Sequence, residues 1–434
     1  MKIHVKESTI IRPAQETPKH RLQISDLDMI VPSNYVPSVY FYRRSSDCTD
    51  FFEVGLLKKA LSEVLVPFYP VAGRLQKDEN RKIEILCNGE GVLFLEAETS
   101  CGIDDFGDFS QGSKLLTLVP TVGDTKDISS HPLLMAQVTY FKCGGVCVGT
   151  RVNHTLVDGA SAYHIINSWA ETTRGVPIST QPFYDRTILS VGVPTSPKFH
   201  HIEYDPPPSM NAPPTQNPEI ISTAILNLSL DQIHTLKEKS KTDHEPNVKY
   251  SRMAILAAHI WRSMCKARGL SDDQVSKLHF PTDGRQRLNP PLPPGYFGNV
   301  IFTTSLTASS GDILSEPLNH TVERIQKALK RMDDEYLKSA LAYLKQQPDL
   351  NALRKGGHIY KCPNLNIVNL ANMPMYVANF GWGQPIFARI VNTYYEGIAH
   401  IYPSPSNDGT LSVVINSVAD HMQLFKKFFY EIFD

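Results

Sequence analysis

The clearest pattern along the chain is two apolar, β-rich runs followed by a helical one. Met135 to Phe141 and Val146 to Val152 are separated by Lys142-Cys143-Gly144-Gly145, which predicts a hairpin turn. Downstream, Ala162, Ile165, Ile166, Trp169 and Ala170 fall at i, i+3, i+4, i+7 and i+8, one face of an amphipathic helix that Gly175 ends. Between them lies Asn153-His154-Thr155-Leu156-Val157-Asp158-Gly159. His154 is therefore expected where a buried strand stops and a helix is about to start, a rigid place from which to hold an imidazole.

The same reading predicts strands at residues 1 to 12, Tyr35 to Tyr42, Lys82 to Cys87 and Val92 to Ala97, the last two joined by an Asn88-Gly89-Glu90-Gly91 turn. Glu219 to Leu228, the run ending in Thr282-Asp283-Gly284-Arg285, and residues 411 to 415 read as further strands. Helical spacing covers Val54 to Leu65, Tyr250 to Ala267 with Ser251 as N-cap, residues 320 to 346, and residues 419 to 433. From 177 to 218 prolines are frequent and periodicity vanishes. The expected organisation is an N-terminal domain, 1–176, a crossover, 177–218, and a C-terminal domain, 219–434. Strand–helix alternation in both halves argues for the α/β class.

Composition narrows the function only by exclusion. The 434 residues are 41% hydrophobic and 20% charged, with a formal net charge of −1. That balance gives no reason to expect nucleic acid or an anionic membrane as partner. No apolar run approaches the roughly 18 residues of a membrane span, and the N-terminus lacks the apolar core of a signal peptide. A cytoplasmic monomer is the expectation. The seven cysteines (Cys48, Cys87, Cys101, Cys143, Cys147, Cys265, Cys362) are spread as free buried thiols would be, without paired zinc-ligand spacing. No Gly-x-Ser-x-Gly, P-loop or His-Glu-x-x-His occurs.

Candidate chemistry therefore centres on His154. Histidine's ordinary pKa, about 6.5, suits a general base near neutral pH. Asp158, four residues on, has three available tasks: orienting the imidazole, capping the helix that follows, or pairing with a distant arginine. The sequence leaves these open.

His154-x-x-x-Asp158-Gly159 resembles the catalytic motif of the BAHD acyltransferases, plant enzymes that move acyl groups from coenzyme A to alcohols or amines. Asn379-Phe380-Gly381-Trp382-Gly383 resembles their second motif, and Phe68 to Leu75 and Tyr296-Phe297-Gly298-Asn299 match further stretches. The likeness covers essentially the whole chain and is strongest to the hydroxycinnamoyltransferase branch, above all to members that form rosmarinate-type esters. It implies two similar domains like chloramphenicol acetyltransferase, each a mixed β-sheet flanked by helices, with a solvent channel between them. It also implies a coenzyme A thioester as co-substrate, with no permanently bound cofactor and no metal. His154 would take the proton of the acceptor hydroxyl. The Trp382 indole would either donate to the oxyanion or simply pack. Ser251, Arg252 and Thr282 would hold the thioester, the first two at a helix N-terminus that suits a phosphate or serves only as a cap. Tyr35, Ser38, Tyr40 and Asn372 would meet the substrates. Arg285, Asn379, Gly381 and Gly383 would be structural. In the family an aspartate stands at 379 and pairs with the arginine at 285; the amide here weakens that pairing. Shikimate-using relatives carry arginine at 372 and often histidine at 35. Asn372 and Tyr35 point instead to hydroxycinnamoyl-CoA with a hydroxyphenyllactate acceptor. Related carrier-dependent condensing enzymes share the histidine motif but usually carry a second, adjacent histidine; here Thr155 follows.

Overall fold

The computed structural model describes residues 1–45, 50–79, 82–121, 123, 127–211, 220–241, 249–391 and 395–434. Its strands, in chain order, are β1 His4–Ile11, β2 His20–Gln23, β3 Tyr35–Tyr42, β4 Arg74–Lys77, β5 Ile83–Cys87, β6 Val92–Thr99, β7 Leu134–Phe141, β8 Val146–Asn153, β9 Ile221–Leu228, β10 Val275–Asp283, β11 Ile301–Ser309, β12 Leu365–Asn369, β13 Phe387–Ile390, β14 Ile398–Pro403 and β15 Leu411–Val418. They form two six-stranded mixed sheets, ordered β1-β6-β7-β8-β3-β13 and β11-β10-β12-β14-β15-β9, and a small sheet β2-β5-β4.

β7 and β8 are buried on both faces, which is why they read as continuous apolar runs rather than alternating ones. The helix Gly159–Thr173 lays Ile165, Ile166, Trp169 and Ala170 on the first sheet, and the helix Val54–Val64 packs beside it. Trp169 donates its indole N–H to Leu57 O at 3.0 Å, so a large apolar side chain is buried with its one polar atom satisfied. The helices Arg252–Ala267 and Ala419–Tyr430 cover the second sheet in the same way, with Trp261, Phe425 and Phe429 inward. Truncating one such aromatic to alanine costs about 3–5 kcal/mol.

Several expectations need correction. β5 and β6 are not a hairpin: β5 pairs with β2 and β4, and β6 with β1 and β7, so residues 88–91 carry the chain from one sheet to another. Gly91, at φ +98°, allows the passage, because a Cβ there would meet Ile11 O at 2.4 Å. The stretch 320–346 is two helices, Leu318–Lys330 and Asp334–Lys345; Asp333 caps the second, and its extended backbone cannot continue the first. Part of the crossover, 212–218, and Glu219 lie outside the described residues; its remainder holds two 3₁₀ turns, Arg186–Ser190 and Ile202–Tyr204. The second half also lends a strand to the first sheet. β13, deep in the second half, pairs antiparallel with β3 at the edge of the first sheet. The first core accordingly includes Phe297, Leu370, Phe380 and Tyr402 from the second half. Among the described residues no helix is long and apolar enough to cross a membrane.

Candidate active site

β8 ends at Asn153, and the chain turns through 154–158 before the helix starts at Gly159. His154 stays tied to the sheet edge: its N–H donates to Asn34 O at 2.9 Å, and Tyr35 pairs with Asn153. The half-buried imidazole has Nδ1 3.2 Å from Val157 O. A carbonyl only accepts, so Nδ1 carries the proton and the Nε2 lone pair is left to act as a base.

Three buried side chains hold the turn. Asn299 donates Nδ2–H to His154 O at 2.9 Å and to Asp28 Oδ1 at 2.8 Å. Arg186 donates to Leu156 O at 2.9 Å and faces Asp28 at 3.3 Å. Asp158 accepts from Ser161 N–H at 3.0 Å, from Val300 N–H at 3.0 Å, and from both terminal nitrogens of Arg285 at 2.8 and 3.0 Å. Burial acts to raise the Asp158 carboxyl, but the Arg285 charge and these hydrogen bonds overcome it and hold the group below the usual aspartate range. Of the three tasks open to Asp158 in the sequence, it performs two, helix cap and arginine partner. Its lone pairs are committed there and do not orient the imidazole. It is a positioning residue.

Arg285 and Asn379 correct each other's expected roles. Arg285 pairs with Asp158 of the first half instead of residue 379, and further bonds to Gly298 O at 2.9 Å and Asp283 at 3.2 Å anchor it within the second half. Asn379 Oδ1 accepts from Gly381 N–H at 2.8 Å and Gly383 N–H at 3.1 Å. Both glycines have positive φ, +110° and +103°, the curl that aims two N–H groups at one oxygen. That task needs a single acceptor, so an amide serves where the family has a carboxylate.

Of the two tasks open to Trp382, the structure supports packing. Its ring lies 4.8 Å from Phe52, which lies 4.6 Å from Tyr42. Tyr42 is seven residues from Tyr35 along β3, roughly 23 Å at strand rise. The indole therefore packs at the far end of the β3–β8 ladder from His154 and is no oxyanion donor. The Thr282 hydroxyl shares a 2.7 Å hydrogen bond with Thr304 Oγ1 inside the β10–β11 ladder.

The remaining expected residues divide between the two halves. Tyr35 lies beside His154 with its hydroxyl donated to Pro132 O at 2.8 Å, so it offers a ring face rather than a polar group. Ser38 and Tyr40 lie progressively farther along β3. Asn372 is exposed just past the end of β12. Since β12 runs parallel to β10, it leaves the second sheet at the end where Asp283 hands over to Arg285. Ser251 caps the helix Arg252–Ala267 by accepting from Ala254 N–H at 3.1 Å. A cavity of about 330 Å³ opens beside it, lined by Arg252, Lys237, His234 and Tyr250 among apolar residues. That helix returns through a short loop into β10, so its N-terminus also lies toward the Arg285 end of the sheet.

Cys87 and Cys265 fit no nucleophilic role. Burial pushes Cys87 up to about 11 and Cys265 up to about 12, far from thiolate formation at neutral pH. Cys101, Cys143 and Cys362 are at least partly exposed, against the expectation of burial, and Cys48 lies outside the described residues. Sequence reasoning missed Asp28 and Arg186, which nothing in their local pattern marks. It quoted Asn299 only as part of a matching stretch.

The chain matches the Transferase family over residues 1–432. It is 51% identical to a shikimate O-hydroxycinnamoyltransferase of Nicotiana tabacum over 99% of this chain and 100% of the relative. It is 44% identical to a rosmarinate synthase of Plectranthus scutellarioides over 100% of both. Its fold is that of the crystal structure of vinorine synthase, with a TM-score of 0.75 at 20% identity over 98% of this chain and 96% of that one. With His154 based between two mixed α/β sheets, and family and fold agreeing over nearly the whole length, the chain belongs to the BAHD acyltransferases, which use a coenzyme A thioester as co-substrate.

Proposed function

We propose that the protein transfers a hydroxycinnamoyl group, caffeoyl or p-coumaroyl, from coenzyme A to the aliphatic hydroxyl of a hydroxyphenyllactate, giving a rosmarinic-acid-type ester. The observation that carries the chemistry is the His154 imidazole, whose Nδ1 is committed to Val157 O while Nε2 keeps its lone pair. Nε2 takes the acceptor proton as that oxygen attacks the thioester carbonyl. The tetrahedral adduct collapses, and the same nitrogen returns the proton to the departing thiolate. The acyl group passes directly from sulfur to oxygen.

The thioester's phosphates are assigned to the N-terminus of the helix Arg252–Ala267, where Arg252 and Lys237 supply positive charge beside the 330 Å³ cavity. Arg252→Ala raises the KM for the thioester by about 10-fold with kcat nearly unchanged, as expected for uniform binding lost far from the reacting atoms. A drop in kcat at unchanged KM refutes that assignment. The domain division at 177–218 remains part of this reading, with β13 lent by the second half to the first.

Two residues support the aromatic acceptor. Asn372 brings no charge for a shikimate carboxylate, a bidentate task suited to guanidinium. Tyr35 offers an aromatic face beside the base. The second reading, transfer to shikimate or quinate, is favoured by the 51% identity to the tobacco enzyme. Wild type and Asn372→Arg assayed with caffeoyl-CoA against both acceptors separate them. Wild type prefers 4-hydroxyphenyllactate by about 100-fold in kcat/KM, the upper end of what one unsatisfied polar group costs. The arginine variant gains shikimate activity. A wild type that esterifies shikimate faster rules out the rosmarinate-type reading and leaves the His154 chemistry intact.

A further inference from the structure

The turn that presents Asn372 belongs to the second half by sequence, yet it is held from both halves. On one side Leu370 donates its N–H to Ile401 O at 2.8 Å, which fastens the turn to β14. On the other, Asn167, in the helix Gly159–Thr173 of the first half, donates Nδ2–H to Pro374 O at 3.1 Å. Asn372 lies midway, two residues from each anchor. Met373 N–H bonds to Leu370 O at 3.0 Å and closes the turn around it. Leu370 and Met375 are buried in the first core, while Asn372 between them stays exposed.

The Asn167 amide is kept at a cost. Its Oδ1 is buried with no hydrogen-bond partner among the described residues. A stranded acceptor is unfavourable, and an apolar side chain of similar size would avoid it. Pro374 O can only accept, so the amide nitrogen is the atom that faces it. What the amide supplies is therefore one N–H, directed at the acceptor turn. The same helix face meets this loop again two turns on, where Arg174 donates to Asn379 O. The helix itself begins at the Asp158 cap, directly after the His154 turn. One element thus runs from the general base to the clamp on Asn372.

We infer that Asn167 is a positioning residue for the acceptor: by holding Pro374 O it fixes where Asn372 stands relative to His154. This rests on the contact between Asn372 and the acceptor proposed above. Loss of the clamp loosens the turn without touching the thioester or the base, so it weakens acceptor binding alone.

The test is steady-state kinetics on Asn167→Leu, Asn167→Gln, Asn372→Ala and the double variant Asn167→Leu/Asn372→Ala, with melting temperatures recorded alongside. Caffeoyl-CoA is the donor, and the acceptor is whichever of 4-hydroxyphenyllactate and shikimate wild type uses faster. Asn167→Leu raises the acceptor KM by about 5-fold, the scale of one net hydrogen bond. The thioester KM and kcat stay within about 2-fold of wild type, as for uniform binding lost. Asn167→Gln, which keeps an amide donor, recovers part of the loss. In the Asn372→Ala background Asn167→Leu adds less than about 2-fold, because the two act as a unit. Should the leucine variant not fold, Asn167→Asp, of the same shape but without an N–H, takes its place in the cycle.

Fully additive effects in the double variant overturn the inference, since Asn167 then does not act through Asn372. So does a fall in kcat at unchanged acceptor KM, which places its effect on the His154 turn. An Asn372→Ala enzyme with wild-type acceptor KM refutes the Asn372 contact proposed above. It is distinct from an affected Asn372→Ala beside an unaffected Asn167→Leu, which refutes the role of Asn167 alone.

Discussion

His154→Ala lowers turnover by about 10²- to 10⁴-fold, the usual contribution of a positioned general base, while the melting temperature barely moves. The second half of that statement follows from how the turn is held. Among the described residues the His154 side chain makes one hydrogen bond, at 3.2 Å to Val157 O. The turn itself is tied down through backbone atoms, His154 N to Asn34 O and His154 O to Asn299, and by Arg186 on Leu156 O. All of these survive the substitution. Steady-state assays with the preferred thioester and acceptor, beside thermal melts of both proteins, check it. A variant that keeps more than about a tenth of wild-type turnover means that another group accepts the proton. Loss of turnover matched by a large fall in melting temperature means that His154 acts on the fold rather than on the acceptor.

The setting of that histidine was readable from the sequence because it depends on local periodicity. Two β-rich runs, a four-residue turn and a 3.6-residue repeat each leave a mark within about ten residues, and β7, β8 and the helix Gly159–Thr173 fall where those marks predict. What failed was everything decided by partners far along the chain. The runs that became β5 and β6 each read as strands, but their spacing suggested a hairpin that the competing partners β2 and β1 prevent. β13 crosses to the first sheet because β3 has a free edge, a fact about space and not about residues 387–390. Trp382 sits in a motif whose likeness to a catalytic family invited a catalytic role, and the aromatic stack with Phe52 removes it to the far end of the sheet. The ion pair of Asp158 with Arg285 joins residues 127 apart. The sequence had admitted a distant arginine for Asp158 and had given that arginine to residue 379. Buried charges such as Asp28 and Arg186 leave no periodic trace at all, since their placement is determined by each other.

Asp158→Ala destabilises the protein by about 3–5 kcal/mol, the cost of stranding one member of a buried ion pair, and takes activity down with it. The substitution removes a helix cap, the acceptor for Val300 N–H, and the charge that balances a largely buried Arg285. Asp158→Asn loses less. Its amide oxygen still caps Ser161, and Arg285 keeps Asp283 at 3.2 Å and Gly298 O at 2.9 Å, though its amino group now faces the guanidinium. The same pair sets an acid limit. The folded-state pKa of Asp158 lies below the usual aspartate value, so its contribution is fully present above the unfolded pKa of about 3.9. It is lost as pH falls through the lower, folded value. Denaturant unfolding at pH 7 therefore ranks wild type above Asp158→Asn and Asp158→Ala last. The gap between wild type and the two variants is constant from pH 7 down to about 5 and narrows only below about 4. Equal and complete inactivation of both variants with unchanged unfolding midpoints would mean that Asp158 acts in the proton transfer, and that the lone pairs assigned here to Arg285, Ser161 and Val300 are free to reach the imidazole.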